Sequence, residues 1–198
     1  MRGAGQPQTE RAGERAKGVE MRIESQRLVC CPVSDGEMER LIENEKDAGL
    51  KQAYSEMLRG CLAEPENRIW HAVWAMELKE RPGTVVGDFS FKGAPQDGMV
   101  EIGYGLREEY RGYGYMTETL KAASVWALGQ KGVTRVEAET EPENEASQKT
   151  LLRAGFVPTG AVGKEGPRFV FRRRSHRGGK KSGIVLRRKF KKVKYSCR

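Results

Sequence analysis

The sequence predicts a mixed α/β domain, with one central sheet of mixed strand direction and helices on its faces. Three observations predict it. Segments with apolar residues at helical spacing interleave with segments of two-residue alternation, in the order β-α-α-β-β-β-α-β-α-β-β. Three of the strands, at 69–78, 84–92 and 99–106, follow one another across short turns. The length of 198 residues suits a single domain with a core of its own.

The elements follow in order. Residues 27–33 (RLVCCPV) read as the first strand. Ser34 or Asp35 caps a helix with Glu37 as an acid in its first turn, and Met38, Leu41 and Ile42 keep i, i+3, i+4 spacing. A second helix is expected over 50–62, with Leu50, Tyr54, Met57, Leu58 and Leu62 on one side. Residues 69–78 (IWHAVWAMEL) are aromatic and β-branched enough for a strand, and Arg81-Pro82-Gly83 marks the turn after it. The strand 84–92 carries Val86, Phe89 and Phe91 near alternation, 93–98 is a second turn, and 99–106 is a third strand. A glycine-containing loop, 107–114 (REEYRGYG), leads into a helix over 115–130 with Met116, Leu120, Ala123 and Ala127 on one face. Gly129 and Gly132 stop it. A strand over 133–140 ends before Pro142, and Asn144 opens the last helix, with Ala146, Leu151 and Leu152 apolar and Gly155 at its end. Phe156-Val157 and Phe169–Phe171 belong to the last two strands.

Composition excludes several classes. No run approaches a membrane span, and residues 1–20 lack the apolar stretch of a secretory signal. Cys30, Cys31, Cys61 and Cys197 form no C-x-x-C pair, and His71 and His176 are the only histidines, so no metal site is expected. Reduced thiols and the missing signal read as a cytoplasmic protein. The net charge of +9 invites a nucleic-acid reading. It resides at one end, however. Residues 172–198 hold 13 Lys and Arg and no acid, residues 1–20 are nearly balanced, and the body 21–171 has a net charge of −5. The expected division is therefore a disordered extension 1–20, a domain 21–171 and a basic tail 172–198. Met21 can be the natural start.

The most informative unit is strand 99–106, loop 107–114 and helix 115–130. A helix N-terminus presents unsatisfied N–H groups and a partial positive charge, and so receives anions. Gly112 and Gly114 let phosphate oxygens approach the backbone, and Arg111 adds a charge. An ordinary glycine loop would read the same way locally. The run YRGYGYMTETLKAA resembles motif A of the GNAT acetyltransferases (Gcn5-related N-acetyltransferases), written Q/R-x-x-G-x-G/A. Arg111, Gly114 and Met116 occupy its specified positions, with Met116 departing from the usual Gly or Ala. The segment 144–156 (NEASQKTLLRAGF) resembles motif B, N-x-x-S followed by GF. The match covers about 24–171, and both ESQRLVCCPVSDGEMERL and EIGYGLREEYRGYGYMTE look like the branch that acetylates ribosomal-protein N-terminal alanine.

The resemblance implies a GNAT fold: a mixed, mostly antiparallel sheet flanked by helices, with acetyl-CoA at a splay between strands. It implies that Arg111, Gly112, Tyr113, Gly114, Tyr115 and Met116 cradle the cofactor pyrophosphate. Asn144 would contact the pantetheine arm and Ser147 would lie near the thioether sulfur. Asn144 as an N-cap and Ser147 as a first-turn residue are compatible with those roles.

Direct attack of an amine on acetyl-CoA is the implied reaction. It needs a proton acceptor, a polarised carbonyl and a stabilised thiolate. Glu101 is the candidate base, acting through water: it sits on the strand before the loop among Val100, Ile102 and Tyr104, where apolar neighbours would raise its pKa. The other reading is a solvent-facing Glu paired to an Arg. Ser147 is the candidate proton donor. Many relatives use a Tyr after the second motif, but none stands between Phe156 and Phe171. Tyr104 could take either part or be a packed strand aromatic, and Tyr110 and Tyr113 flank the loop. The cysteines have no nearby His base and are not expected to act as nucleophiles. The acceptor is a protein N-terminus or a small-molecule amine, and a homodimer is left open. The basic tail offers an alternative, a nucleic-acid- or ribosome-associated protein on a GNAT fold. A solvated tail is the competing reading.

Overall fold

The computed structural model describes residues 21–173. Expectations about 1–20, the tail beyond Arg173, His176 and Cys197 lie outside the described residues. The elements are β1 (Ile23–Glu24), β2 (Leu28–Pro32), α1 (Asp35–Asn44), α2 (Ala48–Ala63), β3 (Val73–Leu78), β4 (Val85–Phe91) and β5 (Met99–Leu106). They continue with α3 (Tyr115–Leu128), β6 (Arg135–Glu139), α4 (Glu145–Ala154), β7 (Val157–Val162) and β8 (Pro167–Arg172). The strands form one eight-stranded sheet in the order β1-β2-β3-β4-β5-β6-β8-β7. Every pairing is antiparallel except β5 with β6.

That parallel pair creates the central feature of the fold. It is three residues long, Met99–Glu101 against Arg135–Glu137. Beyond Glu101, β5 pairs only with β4, through Ile102–Leu106 against Gly87–Phe91. Beyond Glu137, β6 pairs only with β8. The sheet therefore forks between β5 and β6, as the expected strand splay requires.

Residues directly opposite one another across strands share a face. Trp74, Phe89 and Tyr104 are in register, and so are Ala75, Asp88 and Gly105 one step on, facing the other way. The first face packs against α3 and α4. Its core includes the stacked rings of Trp74 and Phe89 at 5.6 Å, and Trp126 of α3 at 5.3 Å from Trp74. Trp74, Phe89 and Phe91 are completely buried, each stabilising the fold by roughly 1.5–3 kcal/mol. The second face carries a smaller core of Met38 from α1, Tyr54 and Cys61 from α2, and Val73.

The sequence signals for helix starts hold. Ser34 accepts from the Glu37 N–H at 3.3 Å while Glu37 accepts from the Ser34 N–H at 2.7 Å, a reciprocal cap. Several details differ. The short strand β1 lies outside the predicted elements. Ile69 and Trp70 belong to a 3-10 turn over Pro65–Trp70, and β3 starts at Val73. Proline with its fixed φ suits that first turn. The buried stripe of α2 runs through Tyr54 and Cys61, while Leu50 and Leu62 are exposed; Cys61 completes the i, i+7 spacing that Leu62 misses. Leu152 is likewise exposed. At the other end β8 reaches Arg172, and the Arg173 guanidinium donates to the Leu128 carbonyl at 2.6 Å. No helix among the described residues is long and apolar enough to cross a membrane.

Candidate active site

The loop before α3 turns through two left-handed glycines, Gly112 (φ 83°) and Gly114 (φ 80°). A side chain is strained at such a backbone angle, so glycine is required here on conformational grounds. Gly114 is the N-cap of α3 and offers no side-chain oxygen to the helix start. The N–H groups of the first turn thus keep their donor capacity. Met116 lies in that turn with its side chain buried in the core. A residue larger than Gly or Ala is accommodated there because it points into the sheet packing and leaves the backbone end of the helix clear.

Arg27, just before β2, fixes this loop from across the fold. Its Nε donates to Glu118 at 2.9 Å, its backbone N–H donates to the same carboxylate at 2.6 Å, and its Nη1 donates to the Tyr113 carbonyl at 3.1 Å. Its guanidinium stacks 4.5 Å over the Tyr115 ring. Burial raises the Glu118 carboxyl, but the hydrogen bonds from Arg27 and Ser25 outweigh it and hold the group below its ordinary value. One arginine ties strand, glycine loop and helix together.

The second half of the site comes from α4. Asn144 caps it, its Oδ1 accepting from the Ser147 N–H at 3.0 Å. Ser147 then lies 2.7 Å from the Tyr104 hydroxyl on β5, with either oxygen able to donate. Burial pushes the Tyr104 phenol above its ordinary value, against the opposing effect of that hydrogen bond. Tyr104 sits on the part of β5 that has lost β6 as a partner. The hydroxyl pair is therefore placed at the fork.

One cavity of about 420 Å³ joins these parts, running from Arg111, Gly112 and Gly114 past Met116 to Tyr104, Asn144 and Ser147. Thr150 and Arg153 of α4 complete its rim. Of the expected cofactor residues, Arg111, Gly112, Gly114, Tyr115, Met116 and Asn144 line it. Tyr113 does not. It is exposed, stacked 5.8 Å from Tyr115, and meets the site only through the carbonyl that Arg27 holds.

Glu101 is elsewhere. By strand alternation it faces away from Tyr104, and it does not line the cavity. The expected apolar surroundings are corrected here. Its carboxylate is 2.7 Å from Lys92 and 3.4 Å from Arg168. Arg168 also pairs with Glu137 and Glu139. Glu101 and Glu137 are direct cross-strand neighbours, so like charges meet at the fork and Arg168 compensates them.

The model of the acetyltransferase (GNAT) domain matches residues 26–157. The chain belongs to the GNAT acetyltransferase family. A curated relative, an "Uncharacterized N-acetyltransferase YjdG" of Bacillus subtilis (strain 168), is 39% identical over 74 residues, 37% of this chain and 44% of that protein. This GNAT chain thus spans under half the length of that relative. Among solved structures, a ribosomal-protein-S5-alanine acetyltransferase of Vibrio fischeri has a TM-score of 0.60 at 14% identity, covering 80% of this chain and all of that one. A ribosomal L7/L12 alpha-N-protein acetyltransferase in complex with coenzyme A has a TM-score of 0.59 at 16% identity, covering 77% and 98%. At these identities the likeness is one of fold.

Sequence reasoning left three features of this GNAT domain unassigned. Arg153 was legible, since Ser147, Thr150 and Arg153 at three-residue spacing make a polar stripe on α4. Arg27 was not, because its partner Glu118 is 91 residues away. Asp88 on β4 is the third, and it lies on the opposite face of the sheet. Burial pushes the Cys30 thiol up to about 12 and also raises Cys61, which keeps both as inert thiols.

Proposed function

We propose that this GNAT domain transfers an acetyl group from acetyl-CoA to a primary amine. The observation that carries the reading is the single cavity joining the left-handed glycine loop at the α3 N-terminus to the Tyr104–Ser147 pair at the fork. The two ends suit the two ends of the cosubstrate. Free N–H groups with Arg111 and Arg153 suit a diphosphate, and a pair of hydroxyls in a partly buried cleft suits a sulfur.

Acetyl-CoA supplies a thioester-activated acetyl group. The chain supplies orientation and proton control. Gly112 and Gly114 with the first turn of α3 hold the diphosphate, aided by Arg111 and Arg153. Asn144 uses Oδ1 to cap α4 and keeps its Nδ2 group for the pantetheine arm. One of the two hydroxyls, Ser147 or Tyr104, donates to the other. The remaining proton is then available to the departing thiolate, a general-acid role. The unpaired stretch of β5 offers backbone N–H to the acetyl oxygen. Glu101, bound by Lys92 and Arg168, holds the fork where the strands part.

The acceptor in this reading is a protein α-amine or a small-molecule amine. The names of the structural neighbours, which act on ribosomal proteins, support an N-terminal amine. The domain is assigned to the described region, with the basic tail as an accessory segment. The test is the melting temperature with saturating acetyl-CoA, followed by thiol release with a panel of peptide and small amines. A cofactor-dependent rise in melting temperature and amine-dependent thiol release are the expected results. A melting temperature indifferent to acetyl-CoA overturns the reading.

A further inference from the structure

On the face of the sheet turned away from Tyr104, β4 and β5 build a second feature. Asp88 is opposite Gly105, and Ser90 is opposite Gly103. All four therefore lie on the face that α1 and α2 cover. The two glycines leave β5 bare there. A Cβ added at Gly105 would meet nothing within 4 Å, and one at Gly103 would meet only the Lys92 side chain, at 3.5 Å. The bare strip runs along Ile102–Leu106, the same stretch that lacks β6 and that carries Tyr104 on its other side.

Asp88 stands beside this strip, opposite Gly105, and also lines a cavity of about 400 Å³ with Ala75, Gly87 and Arg107, of which neither Gly103 nor Gly105 is part. The Tyr54 hydroxyl of α2 donates to it at 3.4 Å, a long contact. Among the described residues it has no ion-pair partner. The charged groups lining that cavity are Glu37 and Arg40 of α1, Glu45 just after α1, and Arg107 just after β5, while Lys92, its ammonium paired with Glu101 at 2.7 Å, lies beside Gly103. Burial pushes the Asp88 carboxyl up to about 6, against the opposing effects of the Tyr54 hydrogen bond and the Arg107 charge. A desolvated carboxylate without a cation opposes folding, and its position beside an open strip is that of a group awaiting a ligand.

We infer that Asp88 is the cation site for the acceptor: the acceptor enters on the α1–α2 face, its primary ammonium lies over Gly103 and Gly105, and Asp88 takes the proton that frees the nitrogen lone pair. The inference rests on the acetyl-transfer reading above. Asp88 gains one proton as the ammonium becomes an amine. The nitrogen then bonds to the acetyl carbon as the carbon–sulfur bond breaks. The nitrogen sheds its second proton to water, and the sulfur receives one from the Tyr104–Ser147 pair, which water restores. Asp88 returns its proton to solvent, so one proton is released per turnover.

The experiment uses the full chain saturated with coenzyme A. Amide NMR follows Gly103 and Gly105 during titration with propylamine hydrochloride, with the tripeptide amide Ser-Ala-Ala, and with its N-acetylated form. Both free amines should shift these two glycine amides, the acetylated peptide should not, and Asp88→Asn should abolish the shifts. No movement at Gly103 and Gly105, or equal movement in Asp88→Asn, overturns the inference.

Kinetics give a second arm. Asp88→Asn should lower kcat/KM for the amine about 100-fold, with the KM and thermal shift for acetyl-CoA unchanged. Asp88→Glu should recover part of the loss. Tyr54→Phe, which leaves the carboxylate in place, should cost less than about 5-fold. Turnover in Asp88→Asn equal to wild type, with acetyl-CoA still bound, removes the Asp88 site alone. A wild-type protein that gives no acetyl-CoA shift removes the acetyl-transfer reading and this inference together.

Discussion

The hydroxyls of Tyr104 and Ser147 lie 2.7 Å apart and join β5 to the first turn of α4 across the fork of the sheet. The relationship makes the two residues one functional unit, because only one of them can donate to the other while the second keeps a proton. Ser147→Ala and Tyr104→Phe should each lower turnover roughly 100-fold while leaving acetyl-CoA binding within about 3-fold. The double variant should be little worse than either single one, since both remove the same relay. Single-turnover thiol release beside acetyl-CoA titration checks this, and additive losses would show two independent roles.

The Arg27–Glu118 pair should govern the glycine loop. Arg27→Ala removes the side-chain donors to Glu118 and to the Tyr113 carbonyl while keeping the backbone N–H to Glu118, so it should raise KM for acetyl-CoA about 10-fold, a loss near 1.4 kcal/mol, with a smaller effect on kcat. Glu118 has a folded pKa below its ordinary value. Its contribution to stability is thus present above the ordinary carboxylate range and disappears as pH falls through the lowered folded value. Glu118→Gln should narrow the stability difference between pH 7 and pH 4, read by thermal melts at both values.

Glu101→Gln separates a structural role at the fork from a catalytic one. Glu101 is held by Lys92 and Arg168, and removing its charge leaves those cations with Glu165, Glu137 and Glu139. The variant should lower the melting temperature by a few degrees and turnover by less than about 10-fold. A large loss of kcat with an unchanged melting temperature would restore Glu101 to proton transfer.

These residues also show what the sequence could and could not reveal. Gly112, Gly114, Asn144 and Ser147 were legible because a loop-to-helix site is written locally, in residues a few positions apart. The core positions Met116, Leu120, Ala123 and Ala127 were legible from helical spacing, and all are buried. Arg27 was hidden because its partners are 86 and 91 residues distant. Glu101 was misplaced because alternation told which neighbours share its strand, while its environment is set by Lys92 and by Arg168, 67 residues away. Asp88 was overlooked for the same reason: its meaning comes from the glycines opposite it on β5 and from Tyr54 on α2.

Asp88 leads to the last prediction, which concerns stability. Its carboxyl titrates near 6 in the fold against 3.8 in its ordinary state. A carboxyl raised by folding binds its proton more tightly in the native state. Its favourable contribution is therefore complete below the ordinary value and is lost as pH rises through about 6. At pH 7.5 the charged, desolvated Asp88 should destabilise the protein by on the order of 1–3 kcal/mol, because each tenfold change in proton affinity is worth about 1.36 kcal/mol. Asp88→Asn retains the size of the group and removes the charge. It should raise the melting temperature by several degrees at pH 7.5 and change it little at pH 4, where wild-type Asp88 is already neutral in the fold. A gain in stability joined to a loss of amine turnover is the signature of a charge kept for function. A melting temperature that falls at both pH values would instead make Asp88 a structural partner of Tyr54.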